Sequence, residues 1–139
     1  MVSGHFDPFH DGHLDYIKQA SKLGNYLICV VSSDEQLRMK KGSINIPEQG
    51  RAKILESVLR GLDVPYEVVL NKYDEGTSLI AETLKIFKPD ILVRGGDKTI
   101  DDMPADEQRV CTQYGIRIVH AKHEIDRHGS EMKLDDSID

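Results

Sequence analysis

The sequence predicts a single α/β domain of Rossmann-like type, with a five-stranded parallel sheet and helices on both faces. Three observations lead there. Apolar, β-branched runs of strand length at 26–31, 66–70, 90–93 and 116–120 alternate with stretches whose apolar residues recur at helical spacing. Such alternation implies right-handed crossovers and a parallel sheet covered on both sides. A chain of 139 residues, 39% hydrophobic, suits one domain with one core.

The elements follow in order. Residues 1–3 are apolar enough to end a strand, which is either very short or trimmed upstream, and Gly4 breaks it. From Gly12, Leu14, Ile17, Ala20 and Leu23 form the apolar stripe of a first helix, with Asp15, Lys18, Gln19 and Lys22 off the stripe and Gly24 as its C-cap. The run 26–31 is continuous rather than alternating, as befits a strand buried on both faces, and Ser32 and Ser33 close it. Asp34 then caps a short helix to about Lys40, and a basic loop leads to Pro47 at the first helical position. The third helix reaches Gly61 with the stripe Ile54, Leu55, Val58, Leu59 and Leu62. Arg51 sits near its start, where a cation gains nothing from the helix dipole. Beyond the strand at 66–70, a helix at 78–87 stops at Lys88-Pro89, the strand at 90–93 runs into Gly95-Gly96-Asp97-Lys98, and a helix at 104–114 closes on Gly115 before the last strand. The domain is expected over 1–125, and 126–139 is a charged tail without apolar periodicity, mobile or ordered by a ligand.

Charge and cysteine usage narrow the function. A net charge of −6 argues against a nucleic-acid or anionic-membrane partner, because such surfaces must neutralise phosphates, so any anion site is local. Cys29 falls within a strand and Cys111 within a helix, without metal spacing; both read as buried thiols in a reducing cytoplasm. No apolar stretch approaches the roughly 20 residues of a membrane span.

Chemistry concentrates in SGHFDPFHDGHLDYI, residues 3–17, at the first strand-to-helix turn. In a doubly wound sheet ligands bind beyond the C-terminal strand ends, where loops meet helix N-termini. There Gly4 permits close backbone approach, Pro8 stiffens the turn, Gly12 brings the helix up against the ligand, and first-turn amides favour an anion. His10 and His13, three apart, project to the same side and supply two donors. H-x-x-H is also half a zinc site, but His120, His123 and His128 lie far along the chain, so no metal ligands are assigned.

The string G-x-F-D-P-x-H-x-G-H resembles the signature of the cytidylyltransferase-like nucleotidyltransferases, and later landmarks fall in the same order over roughly 120 residues. The resemblance implies that His10 and His13 hold a nucleoside triphosphate and stabilise the pentacoordinate phosphorus. Gly4, His5 and Phe6 line the nucleotide through their backbone, the His5 side chain having no assigned chemistry, and Gly12 completes the loop. Lys41 and Arg51 correspond to the family's phosphate-binding cations and complete the implied catalytic set. The choice between Lys40 and Lys41 stays open, with Lys40 and Asp7 assigned to the second substrate. Arg94, Gly95, Gly96 and Asp97 resemble the segment that lines base and ribose. In the tail only Arg127, Gly129 and Ser130 match the family's phosphate-binding segment, of which Arg127 and Ser130 are assigned to the nucleotide; Glu131 stands where a hydroxyl is usual.

What this implies is in-line attack by the phosphate of a small acceptor on the α-phosphorus of CTP or ATP, with release of pyrophosphate and no covalent enzyme intermediate. Mg²⁺ enters with the triphosphate, Asp7 or Asp11 assisting through water, and the family's habit implies a homodimer. S-G-H-F-D-P, S-x-D-E after the second strand and G-G-D-K resemble the sugar-phosphate branch, such as heptose-1-phosphate adenylyltransferases, and glycerol-3-phosphate cytidylyltransferases are similar in length. The rival reading is a nucleotide sensor or scaffold without catalysis. Amino-acid activation, hinted by residues 38–43, is disfavoured by the short chain and the lack of a basic surface.

Overall fold

The computed structural model describes residues 1–122. The chain runs β1 (Val2–Gly4), α1 (Asp11–Ser21), β2 (Leu27–Ser32), α2 (Asp34–Lys41), α3 (Glu48–Arg60), β3 (Tyr66–Asn71), α4 (Ala81–Phe87), β4 (Ile91–Arg94), a 3₁₀ turn at Ile100–Asp102, α5 (Ala105–Tyr114) and β5 (Arg117–His120). All strand pairs are parallel. β1 lies beside β2 with Val2 opposite Cys29, β2 beside β3 with Leu27 opposite Tyr66, and β4 beside β5 with Ile91 opposite Arg117.

The expected five-stranded sheet is instead two sheets, one of three strands (β1-β2-β3) and one of two (β4-β5). The reason lies at the seam. Met1 bonds to β4 as a parallel neighbour would, its nitrogen donating to the Ile91 carbonyl at 2.7 Å and its carbonyl accepting the Val93 amide at 2.9 Å. The next bond of such a ladder would join the Ser3 amide to the Val93 carbonyl. The Tyr16 hydroxyl stands between them, accepting from Ser3 at 3.2 Å and donating to Val93 at 2.6 Å. One phenol thus ends the ladder after its first rung, and β1 is too short to resume it.

Helices cover both faces. The alternation along β2 sends Cys29 and Val31 to a core with Ile17, Leu55 and Leu59 from α1 and α3, and Val30 to a second core with Leu84, Val110 and Cys111 from α4 and α5. β2 is buried on both sides, as its continuous apolar run requires. The stripes are narrower than expected, since Leu23 and Ile54 are exposed. α4 starts three residues later than the pattern suggests because Asp74 captures the Glu82 and Thr83 amides at 2.6 and 3.1 Å, fixing the first turn there. Both cysteines are buried and free, and among the described residues no helix is long and apolar enough to cross a membrane.

Candidate active site

The loop from β1 to α1 is shaped by its own side chains. A Cβ on Gly4 would lie 3.0 Å from the Phe6 ring. The glycine therefore makes room for Phe6, where the sequence suggested room for a ligand. Phe6 sits at φ 54°, a left-handed backbone that costs a non-glycine residue roughly 1–2 kcal/mol, and its ring is buried in the core. Burial offsets that strain and gives the ring a second use. It meets His13 edge-on at a centroid distance of 5.0 Å, and Phe9 lies 5.5 Å away.

α1 begins at Asp11, one residue before Gly12, with His10 as its N-cap. His10 Nδ1 accepts the Gly12 amide at 3.1 Å, and His13 Nδ1 accepts the His10 amide at 3.2 Å. The two rings stack at 3.7 Å with planes 18° apart. An imidazole that accepts at Nδ1 carries its ring proton on Nε2, so each ring keeps one N–H to donate. The first-turn Gly12 amide and the N-cap's own His10 amide are thus taken by the rings, and imidazole N–H groups join the Asp11 amide as donors at this helix start.

Burial, reinforced by His10 and then His5, lowers His13 to about 4. His5 is likewise held at about 4, first by burial and then by Lys41, Arg51 and Lys40, with Asp7 acting weakly against them; its Nδ1 bonds the Ser32 hydroxyl at 2.8 Å. Both rings are thus neutral donors or acceptors at neutral pH.

A cleft of about 350 Å³ collects Gly4, His5, Phe6, His10, Gly12 and His13 from this loop, Lys41 from the end of α2, and Gly95, Gly96 and Asp97 from the turn after β4. Those ten residues are brought together as the motifs suggested. Lys98 and Tyr16 join them, missed in the sequence: Lys98 follows the glycines directly, while Tyr16 lies one helical turn after His13 and carries no motif of its own. Lys41 rather than Lys40 reaches this wall. The Gly95 turn is tight, with the Lys98 amide donating to the Gly95 carbonyl at 3.1 Å and Asp97 Oδ1 3.0 Å from where a Gly95 Cβ would be.

Three assignments are corrected. Arg51, expected on phosphate, is fully buried, with Nε on the Ile46 carbonyl at 2.7 Å, Nη1 on the His5 and Ser32 carbonyls at 3.0 and 2.7 Å, and Nη2 on Asp34 Oδ1 at 2.7 Å. Its planar fork ties the ends of β1 and β2 to α3, which explains a cation at that helix start. Asp7, expected on the second substrate, gives both oxygens to the 45–46 backbone, Oδ2 to the Asn45 amide at 2.8 Å and Oδ1 to the Ile46 amide at 2.7 Å. Arg94, expected on the nucleotide, lines the adjoining cavity rather than this cleft, and its Nη1 donates to the Thr99 carbonyl at 2.5 Å and lies 3.3 Å from His120 Nε2. Arg127 and Ser130 lie outside the described residues, and among those described no three His, Cys, Asp or Glu side chains gather to hold a metal ion.

Known proteins resemble this chain over most of its length. A family model described as cytidylyltransferase-like matches residues 1–133. The bifunctional protein HldE of Desulfatibacillum aliphaticivorans is 35% identical over 121 residues, which are 86% of this chain and 23% of that protein. FAD synthase of Pyrococcus horikoshii is 35% identical over 102 residues, 73% of this chain and 64% of the relative. This chain therefore spans less than two thirds of either relative's length. The crystal structure of a lipopolysaccharide core biosynthesis protein from Thermoplasma volcanium superposes with a TM-score of 0.67 at 30% identity, covering 88% of this chain and 94% of that one. The chain belongs to the cytidylyltransferase-like family.

Proposed function

We propose that this domain transfers a nucleotidyl group from CTP or ATP to the phosphate of a small phosphorylated acceptor, a sugar or polyol phosphate, and releases pyrophosphate. The observation that carries this reading is the stacked His10–His13 pair, whose Nδ1 atoms are fixed by backbone amides so that two ring N–H donors remain for a polyphosphate. Lys41 and Lys98 on the same cleft add positive charge.

The chemistry asked of these residues is modest. The acceptor phosphate is already an anion, so no general base is needed, and catalysis is positioning plus neutralisation of charge building on the α-phosphoryl and leaving oxygens. His10 and His13 donate their remaining ring N–H groups to phosphate oxygens. Their stack, braced by Phe6 and Phe9, holds both at fixed distance. The bare backbone at Gly95 and Gly96 leaves a slot for a flat base.

Mg²⁺ fits this donor set as a companion of the triphosphate. The cleft offers Asp97 as a carboxylate, while both Asp7 oxygens are already bonded to backbone, so phosphate oxygens and water would hold most of the ion. Bound there, Mg²⁺ supplies further neutralisation of the phosphate charge. Among the relatives' names, FAD synthase points to flavin chemistry and the lipopolysaccharide core biosynthesis protein to sugar chemistry, so the names do not choose the acceptor.

The test is to incubate the protein with Mg²⁺, each of the four nucleoside triphosphates and a panel of phosphorylated sugars, polyols and alcohols, and to measure pyrophosphate. One productive pair identifies nucleotide and acceptor together. Nucleotide binding in calorimetry with no pyrophosphate across the panel would favour a sensor instead.

A further inference from the structure

A second cavity, of about 270 Å³, lies at the C-terminal ends of β1, β2 and β3 and shares the walls Ser3, Gly4, His5, Tyr16, Gly95 and Lys98 with the nucleotide cleft. No motif of the sequence pointed to its far wall. There Glu107, the third residue of α5, is only 8% exposed. Its Oε2 accepts the Ile80 amide at 3.0 Å, and its Oε1 has no hydrogen-bond donor among the described residues. Burial raises the carboxyl above the usual carboxylate range, opposed by the Ile80 amide and Arg94. Charged or protonated, it keeps an acceptor oxygen.

Asn71 on this wall is already committed. Asn71 donates to Asp74 Oδ2 at 3.0 Å and the Leu79 carbonyl at 3.3 Å, and its oxygen accepts the Tyr73 and Asp74 amides at 3.0 and 3.1 Å. Ser78 and Arg94 also keep polar atoms toward this cavity, but Glu107 is its buried acceptor with capacity to spare, and a buried acceptor left idle is costly. A fully ionised ligand phosphate cannot satisfy that oxygen, since it has no proton to donate. A hydroxyl can. An acceptor oriented with its phosphate toward His5 and Lys98 at the shared wall directs its hydroxyl-bearing end to Glu107.

We propose that Glu107 reads a hydroxyl of the acceptor, so that the domain selects hydroxyl-bearing phosphates over plain alkyl phosphates of the same length. This rests on the nucleotidyl-transfer reading above for its kinetic readout. It also assigns that reading a specificity-determining residue.

The experiment compares kcat/KM for sn-glycerol 3-phosphate, a hexose 1-phosphate, ethanolamine phosphate and n-propyl phosphate in the wild type and in Glu107→Gln, which keeps an oxygen for the Ile80 amide. The expected result is that the wild type favours its best hydroxyl-bearing acceptor over propyl phosphate by about tenfold or more, and that Glu107→Gln shrinks this ratio by about tenfold, with the nucleotide KM and the urea midpoint unchanged. An unchanged ratio in the variant, propyl phosphate used equally well, or ethanolamine phosphate preferred would overturn the inference and leave nucleotidyl transfer standing. If no acceptor reacts, the transfer reading fails on its own, and calorimetric titration of sn-glycerol 3-phosphate and propyl phosphate into both proteins decides: a selective loss in Glu107→Gln supports the hydroxyl contact, and equal or absent binding of the two ligands refutes it.

Discussion

The Tyr16 hydroxyl donates to the Val93 carbonyl at 2.6 Å where the Ser3 amide of a regular parallel ladder would do so. A side chain from the first helix thus completes the backbone pairing across the seam between the two sheets, directly beneath the cleft. Replacing it with Phe leaves the Ser3 amide and the Val93 carbonyl without this bridge. Tyr16→Phe is expected to lower stability by about 1–3 kcal/mol. Urea unfolding with an unchanged m-value is the measurement, and a wild-type midpoint would show that the strands simply close up.

His13→Ala removes one donor from the cleft and one acceptor from the α1 cap. Loss of a charge-directed donor of this kind costs turnover about a hundredfold or more. Pyrophosphate release measured beside far-UV circular dichroism separates chemistry from folding. His13→Asn sharpens the result, because an amide oxygen can still accept the His10 N–H while the ring N–H is gone. Turnover near wild type in His13→Asn would refute the assigned role.

Arg51→Lys tests a buried fork against a phosphate ligand. The lysine cannot reach three carbonyls and Asp34 together, and a buried acceptor left without its donor typically costs about 1–3 kcal/mol. The expected phenotype is a marked fall in the denaturation midpoint with nucleotide affinity retained at a temperature where the variant is folded. Reversed effects, intact stability with weakened nucleotide binding, would return Arg51 to the phosphates.

Acid should weaken the fold through His5 and His13. Both are held near 4 in the native state, against 6.5 ordinarily. As pH falls from about 6.5 toward 4 the unfolded chain therefore takes up protons before the native one, and stability declines across that window. Above it the contribution is fully present. Urea midpoints at pH 7.5 and 5 should differ less in the His5→Gln/His13→Gln double variant than in the wild type, and identical pH dependence would exclude these rings as the cause.

Lys41 and Lys40 separate by position. Lys41 lines the cleft and Lys40 does not, so Lys41→Ala is expected to raise the nucleotide KM severalfold while Lys40→Ala changes it little. Steady-state kinetics at one ionic strength distinguishes them, and equal effects would mean that the end of α2 acts only through its summed charge.

What could be read from residue order was whatever depends on local pattern. The continuous run of β2, the stripes of α1 and α3, and the glycine turn after β4 are properties of neighbours in sequence, and the histidine pair announces itself through its spacing. What escaped depends on partners distant along the chain. Arg51 looked like a ligand because nothing nearby in sequence could explain a cation there; its partners come from positions 5, 32, 34 and 46. Asp7 was misread for the same reason, its partners being the amides of 45 and 46. Glu107 sits in an ordinary polar first turn, and only the fold carries it to a cavity wall formed by residues 3 to 98. The seam in the sheet required a tyrosine hydroxyl to fall between two strands, which no propensity encodes.

Because His10 and His13 terminate α1 with the same ring nitrogens that orient them, the helix cannot begin elsewhere without disarming the cleft. Transplanting the motif to another scaffold would therefore require moving the whole start of the helix with it, together with the Phe6 and Phe9 rings that brace the stack. Selection on one is selection on both.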